Sequence, residues 1–170
     1  SGRAHARAMR AARPGVFEYE LEAELLHEFR RSGAQSPAYT SIVAAGRNAC
    51  VLHYIANNAQ SRDGDLILID AGCELDGYAS DITRTFPVNG RFTEPQRQLY
   101  ELVLAAQQAA LAAARPGQLY TAMHDAALRV LAGGMLELGL LDKSVVGSVD
   151  DVIAERLHQQ FYMHGTGHWL

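Results

Sequence analysis

The stretch DLILIDAGCELDGYASDITRTFPV, Asp65 to Val88, decides the reading of this chain. Asp65 to Asp70 is a nearly continuous apolar run closed by an aspartate, the pattern of a buried strand. Gly77 to Val88 reads as a second strand, with Asp76 and Gly77 as a two-residue hairpin turn between them. Such a turn pairs Leu75 with Tyr78 and therefore sets Asp70 opposite Thr83. Asp81 then falls diagonally beside Asp70 on the same side of the sheet, about 7 Å or less between Cβ atoms. Two like charges at that spacing repel unless something neutralises them. Either one takes a proton, as in a shared-proton dyad, or divalent cations about 3.5 to 4 Å apart lie between them. An isolated aspartate pair is more often a strand cap and an exposed acid. A carboxylate that ends a buried apolar run, however, needs a compensating partner.

Outward from the hairpin, Tyr39 to Ala44 and Cys50 to Tyr54 are short β-prone runs joined by Gly46, Arg47 and Asn48, and the pattern predicts paired strands. Leu21, Leu25, Leu26 and Phe29 recur at helical spacing between Phe17 and Arg31, with Gly33 as the stop. Ser1 to Ala12 reads as the tail of a longer helix, ended by Arg13-Pro14-Gly15. Downstream, Glu94 to Ala114, Tyr120 to Leu138 and Val149 to His158 read as helices. The fold class is α+β, with strands and helices segregated. The segment AARPGVFEYELEAELLHEF from Ala11 returns loosely as AARPGQLYTAMHDAALRVL from Ala113, an offset of 102 residues. Helix, Arg-Pro-Gly break and amphipathic helix occur in the same order both times, the pattern of a duplicated half-domain.

With 170 residues, 48% of them hydrophobic and 20% charged, the chain can bury a sizeable core. The net charge of −4 and the scatter of basic residues beyond Arg3, Arg7, Arg10 and Arg13 give no footprint for nucleic acid. No apolar run reaches the roughly 18 residues of a membrane span. Cys50 and Cys73 lack the spacing of a disulfide framework or zinc ribbon, which points to a reducing, cytoplasmic setting.

Of the seven histidines, His5, His27, His124 and His158 lie in expected helices without clustered acids and read as surface or core residues. His164 and His168 stand four apart in FYMHGTGHWL, where Gly165 and Gly167 disfavour a helix, and an extended segment would keep both imidazoles on one face. No glutamate follows His164, so this is not the helical HExxH arrangement. His53, in VLHYIANN, is expected on a strand neighbouring Asp70.

LHYIANN, then RDGDLILIDAGCELDGYASDITRTFPVNGRFTEPQRQLYELVL, then FYMHGTGHWL together resemble aminopeptidase P, the Xaa-Pro aminopeptidases of the pita-bread family that also holds prolidase and methionine aminopeptidase. The resemblance implies a pita-bread fold with pseudo-twofold duplicated halves. It also implies roles: Asp70 as a bidentate ligand of one metal, Asp81 as a carboxylate bridging two, and His168 as a histidine ligand. His53 and His164 match active-site histidines that contact substrate and stabilise the tetrahedral intermediate. The expected cofactors are two divalent ions, manganese foremost, holding the hydroxide that attacks the first residue's carbonyl in peptides with proline second. Ser41 and Cys73 are then bystanders. In the family two glutamate ligands follow the histidine motif, and an N-terminal domain precedes the catalytic one. Residues 1–170 are thus expected to form part of a catalytic domain, inactive by itself, of a protein that is a homo-oligomer at full length. Prolidase, restricted to dipeptides, is the neighbouring alternative. A pita-bread module that only binds peptides is a further one, which intact Asp70, Asp81 and His168 argue against.

Overall fold

Ile67, Ile69 and Ala71 are fully buried, whereas Leu66, Leu68 and Asp70 are half-buried, so strand β3 (Leu66–Ala71) gives only one face to the core. In the computed structural model, which describes residues 1–169, β3 is the centre of an antiparallel sheet between β2 (Ile42–Ala45) and β6 (Ile82–Pro87). Helices α1 (Gly2–Ala11) and α2 (Glu18–Arg31) supply the layer that covers it. Leu21, Leu25 and Phe29, spaced four apart on α2, join Ala4 and Ala8 of α1 over the sheet. Burying each large side chain of this stripe contributes about 1.5–3 kcal/mol relative to leaving it in water. The Phe17 amide donates to the Glu20 carboxylate across 2.8 Å, and Arg30 and Arg31 in the last turn complement the helix dipole. These elements form a first compact unit, Ser1–Thr93.

The hairpin register is the expected one: Leu75 pairs with Tyr78 and Asp70 with Thr83. Asp76 and Gly77 both take positive φ, 53° and 81°, which a two-residue turn of this hand requires. The second strand is not continuous from Gly77 to Val88. It runs as β5 (Tyr78–Ala79), breaks at Ser80 and Asp81, and resumes as β6, while β4 (Cys73–Leu75) pairs β5 on one side and β1 (Ser36–Pro37) on the other. The break falls where Gly72 and Ser80 approach so closely that a Cβ on Gly72 would lie 1.5 Å from the Ser80 carbonyl oxygen.

The expected strand at Cys50 to Tyr54 is absent; Gly46–Cys50 forms a 3₁₀ turn and the chain then loops back to Ala59. Side-chain chemistry occupies the sites a strand would need. Asn57 accepts from the Val43 amide (2.9 Å) and donates to the Ser41 carbonyl (2.8 Å), so its carboxamide satisfies the edge of β2 in place of a neighbouring strand.

The second unit, Glu94–Trp169, is helical. Its α3 (Glu94–Ala113) and α4 (Thr121–Glu137) form a hairpin in which Leu102 lies over Gly134, where a Cβ would come within 2.2 Å of a Leu102 methyl. The Arg-Pro-Gly breaks after α1 and α3 behave alike, with Gly15 at φ 88° and Gly117 at φ 83°. Short α5 (Lys143–Val146) is followed by α6 (Val149–Ala154), which stops before the expected end because Arg156 turns left-handed (φ 57°) into a 3₁₀ turn, Leu157–Gln160. Among the described residues no helix is long and apolar enough to cross a membrane.

Candidate metal centre

Asp70 ends the exposed-side row of β3, and Asp81 occupies the break before β6, so hairpin register and break together aim both carboxylates to one side. The Tyr39 hydroxyl lies 2.5 Å from Asp70 Oδ1 and 2.8 Å from Asp81 Oδ1. A phenol has one proton, which can serve one carboxylate at a time. Three oxygens, two of them from acids, therefore converge on one phenolic proton, an arrangement that a bound cation can complete. Burial pushes the Asp70 pKa up and the Asp81 charge adds to that, while hydrogen bonds from Tyr39 and Thr83 act the other way. Burial and the same two carboxylates push the Tyr39 pKa up as well, so the phenol remains a donor. An all-oxygen anionic set of this kind suits hard divalent cations.

Local backbone contacts hold the set in place. The Ala38 amide donates to the Gly72 carbonyl (2.9 Å), which fixes Tyr39 beside the hairpin. His5, read from sequence as an ordinary helix residue, is buried and places Nε2 2.9 Å from the Ile82 carbonyl, one residue past Asp81. Neither Tyr39 nor His5 carries a spacing signal. Tyr39 becomes a candidate only once the hairpin register is known, and His5 only once α1 is docked.

The histidines are placed differently from the carboxylates. His53 is exposed at φ 56° in the loop after the 3₁₀ turn, not on a strand beside Asp70. His164 and His168 belong to the second unit, on an exposed segment without regular strand geometry. Each places Nδ1 2.8 Å from the next residue's carbonyl oxygen, to which it donates as Nδ1–H. His164 also meets the Tyr162 ring edge-on at 4.9 Å and lines a cavity of about 550 Å³ with Tyr120, Met123, His124 and His158. Among the described residues no three His, Cys, Asp or Glu side chains gather as a ligand cluster; within the first unit the structure brings Asp70 and Asp81 together. Ser41 is buried, and Cys73 is held among Ser1 and Ser80 hydroxyls.

The profile of metallopeptidase family M24 matches residues 1–170. The Xaa-Pro aminopeptidase of Escherichia coli K12 is 51% identical over 167 residues, covering 98% of this chain and 37% of that protein. The structure of Pseudomonas aeruginosa aminopeptidase PepP superposes with a TM-score of 0.95 at 60% identity, over 99% of this chain and 37% of that one. A zinc-substituted E. coli aminopeptidase P in complex with product gives 0.93 at 51% identity, over 98% and 37%. The chain thus spans about 37% of the length of the relatives it matches. The mixed helix-and-sheet architecture agrees with the expected pita-bread class, and the chain belongs to metallopeptidase family M24.

Proposed function

We propose that the whole protein is an Xaa-Pro aminopeptidase and that this chain contributes Asp70, Asp81 and His168 to a centre for two divalent cations, manganese foremost. The observation that carries the proposal is the convergence of Asp70, Tyr39 and Asp81 oxygens at one point, in an M24 chain about half identical to an Xaa-Pro aminopeptidase. Cations bound there would lower the pKa of water and polarise the scissile carbonyl. Asp70 and Asp81 supply the anionic oxygens, and Tyr39 holds the Asp70 carboxylate in orientation. His5 fixes the backbone that follows Asp81. His53 and His164 bind the peptide and stabilise charge on its carbonyl oxygen. Cytoplasmic residence is supported by the unpaired Cys50 and Cys73 thiols, and a homo-oligomer by the family resemblance.

The test compares hydrolysis by the manganese-loaded whole protein of an Xaa-Pro tripeptide, an Xaa-Pro dipeptide and an Xaa-Ala tripeptide. The proposal expects the first to be cleaved fastest. Turnover confined to the dipeptide would make the protein a prolidase, and turnover of none would leave a peptide-binding module.

A further inference from the structure

Glu18 is the first residue of α2 and is only 1% exposed, yet no basic side chain pairs with it among the described ion pairs. Four donors surround its carboxylate instead. The Ala45 amide (2.7 Å) and Asn48 Nδ2 (3.0 Å) donate to Oε1; the Tyr54 hydroxyl (2.8 Å) and the Ala59 amide (2.9 Å) donate to Oε2. A buried carboxylate is tolerated at this density of donors because they replace its hydration. What distinguishes the set is its order along the chain. The donors come from residues 45, 48, 54 and 59, the start, middle and end of the loop that carries His53. The Glu18 amide itself donates to the Ala59 carbonyl (3.0 Å), and Asn57 ties the same loop to β2.

The loop needs such a clamp. It has no strand partner, it holds His53 and Asn57 at positive φ, and it exposes Val51, Leu52 and Ile55 by more than half. Little hydrophobic burial is available at its tip to fix its conformation. Tyr54, whose hydroxyl reaches Glu18, is the residue next to His53 in sequence, so anchoring it restrains the backbone on which His53 stands.

We propose that Glu18 is a positioning residue that fixes the His53 loop for the reaction. This rests on the role given to His53 above. Glu18 touches no reacting atom in this account; it acts through Tyr54 and the loop ends.

The experiment uses the whole protein with Glu18→Gln, which preserves shape but turns an NH₂ toward the Ala45 or the Ala59 amide, neither of which can accept from it, and Tyr54→Phe, which removes a single donor. Amide exchange of Val43 and Val51, which donate to Asn57 Oδ1 and the Asn48 carbonyl of the loop, is expected to accelerate about tenfold in each, the factor that corresponds to one hydrogen bond of ordinary net strength. Metal content should stay at the wild-type value. Glu18→Gln should lower kcat/KM on the order of 10²-fold, the effect of misplacing a group by about an ångström. In a His53→Ala background the same substitution should change the rate by less than about threefold, since coupled residues are not additive. Unchanged exchange in both variants would overturn the proposal, as would a full additive loss in the His53→Ala background. A His53→Ala protein with wild-type turnover would overturn the reading of His53 itself, and the exchange data distinguish that failure from failure of the clamp.

Discussion

The Tyr39 hydroxyl sits 2.5 Å from Asp70 Oδ1 and 2.8 Å from Asp81 Oδ1, so a single proton is shared out between two acids. Removing that hydroxyl leaves both carboxylates without their common donor. Tyr39→Phe is expected to lower the stability of the metal-free chain at neutral pH by about 1.5–3 kcal/mol, the range for a hydrogen bond to a charged group. Denaturant titration measures it. Added Mn²⁺ should stabilise the wild-type whole protein and stabilise the variant less, because its Asp70 is no longer held in orientation, and a wild type that Mn²⁺ leaves unstabilised would contradict a cation at this site.

Gly72 tests the backbone beneath the pair. Its Cβ would lie 1.5 Å from the Ser80 carbonyl oxygen, a main-chain atom that no rotamer change can move aside. Gly72→Ala is expected to cost about 3 kcal/mol or more, at the upper end of overpacking effects, and to weaken metal binding because Asp81 follows Ser80. A melting temperature within a degree or two of wild type would show that the hairpin relaxes more readily than this geometry allows.

Gly134 offers the contrasting case. Alanine there meets the Leu102 methyls at 2.2 and 2.4 Å, which are the ends of a flexible side chain. The expected loss on Gly134→Ala is smaller, about 1–3 kcal/mol, and the double substitution Gly134→Ala with Leu102→Ala should recover part of it. A purely additive double mutant would contradict the Leu102–Gly134 contact as the cause.

In the second unit, Ser148 donates to Asp151 through its amide (2.8 Å) and hydroxyl (2.6 Å), and these bonds hold the Asp151 pKa below the ordinary carboxylate range. A lowered folded-state pKa adds stability above the unfolded value of about 3.9, and that stability is lost as pH falls through the folded value. The stability difference between wild type and Asp151→Ala should therefore be level from pH 5 to 8, by roughly one unit above that carboxylate pKa, and shrink toward zero in acid. A difference that grew on acidification would have the wrong sign for this cap.

Much of the site follows from local rules acting over short distances. Asp76-Gly77 dictates a tight turn, the turn dictates the register, and the register puts Asp70 and Asp81 on one side, as observed. The helices at Glu94 and Thr121 declare themselves by length and periodicity. What failed was the stretch around His53. Val51 to Tyr54 has β propensity, but Asn57 had already taken the hydrogen-bonding edge of β2 and Glu18, some thirty residues upstream, gathered the loop by its donors. Propensity is blind to competition from distant side chains. Tyr39 and His5 carry no local signal for the same reason: each acts on a backbone or carboxylate far from it in sequence, across 31 and 77 residues.

Asp70 and Asp81 are proposed to hold the metals on which turnover depends. Metal content and Xaa-Pro tripeptide hydrolysis of the whole protein, measured side by side for wild type and Asp81→Ala, test it most directly. Loss of a residue that only hydrogen-bonds a ligand typically costs roughly 10–100-fold in metal affinity or activity; replacing Asp81, proposed as a ligand itself, should exceed that in both readouts together. A variant that retained wild-type metal content and rate would contradict the account.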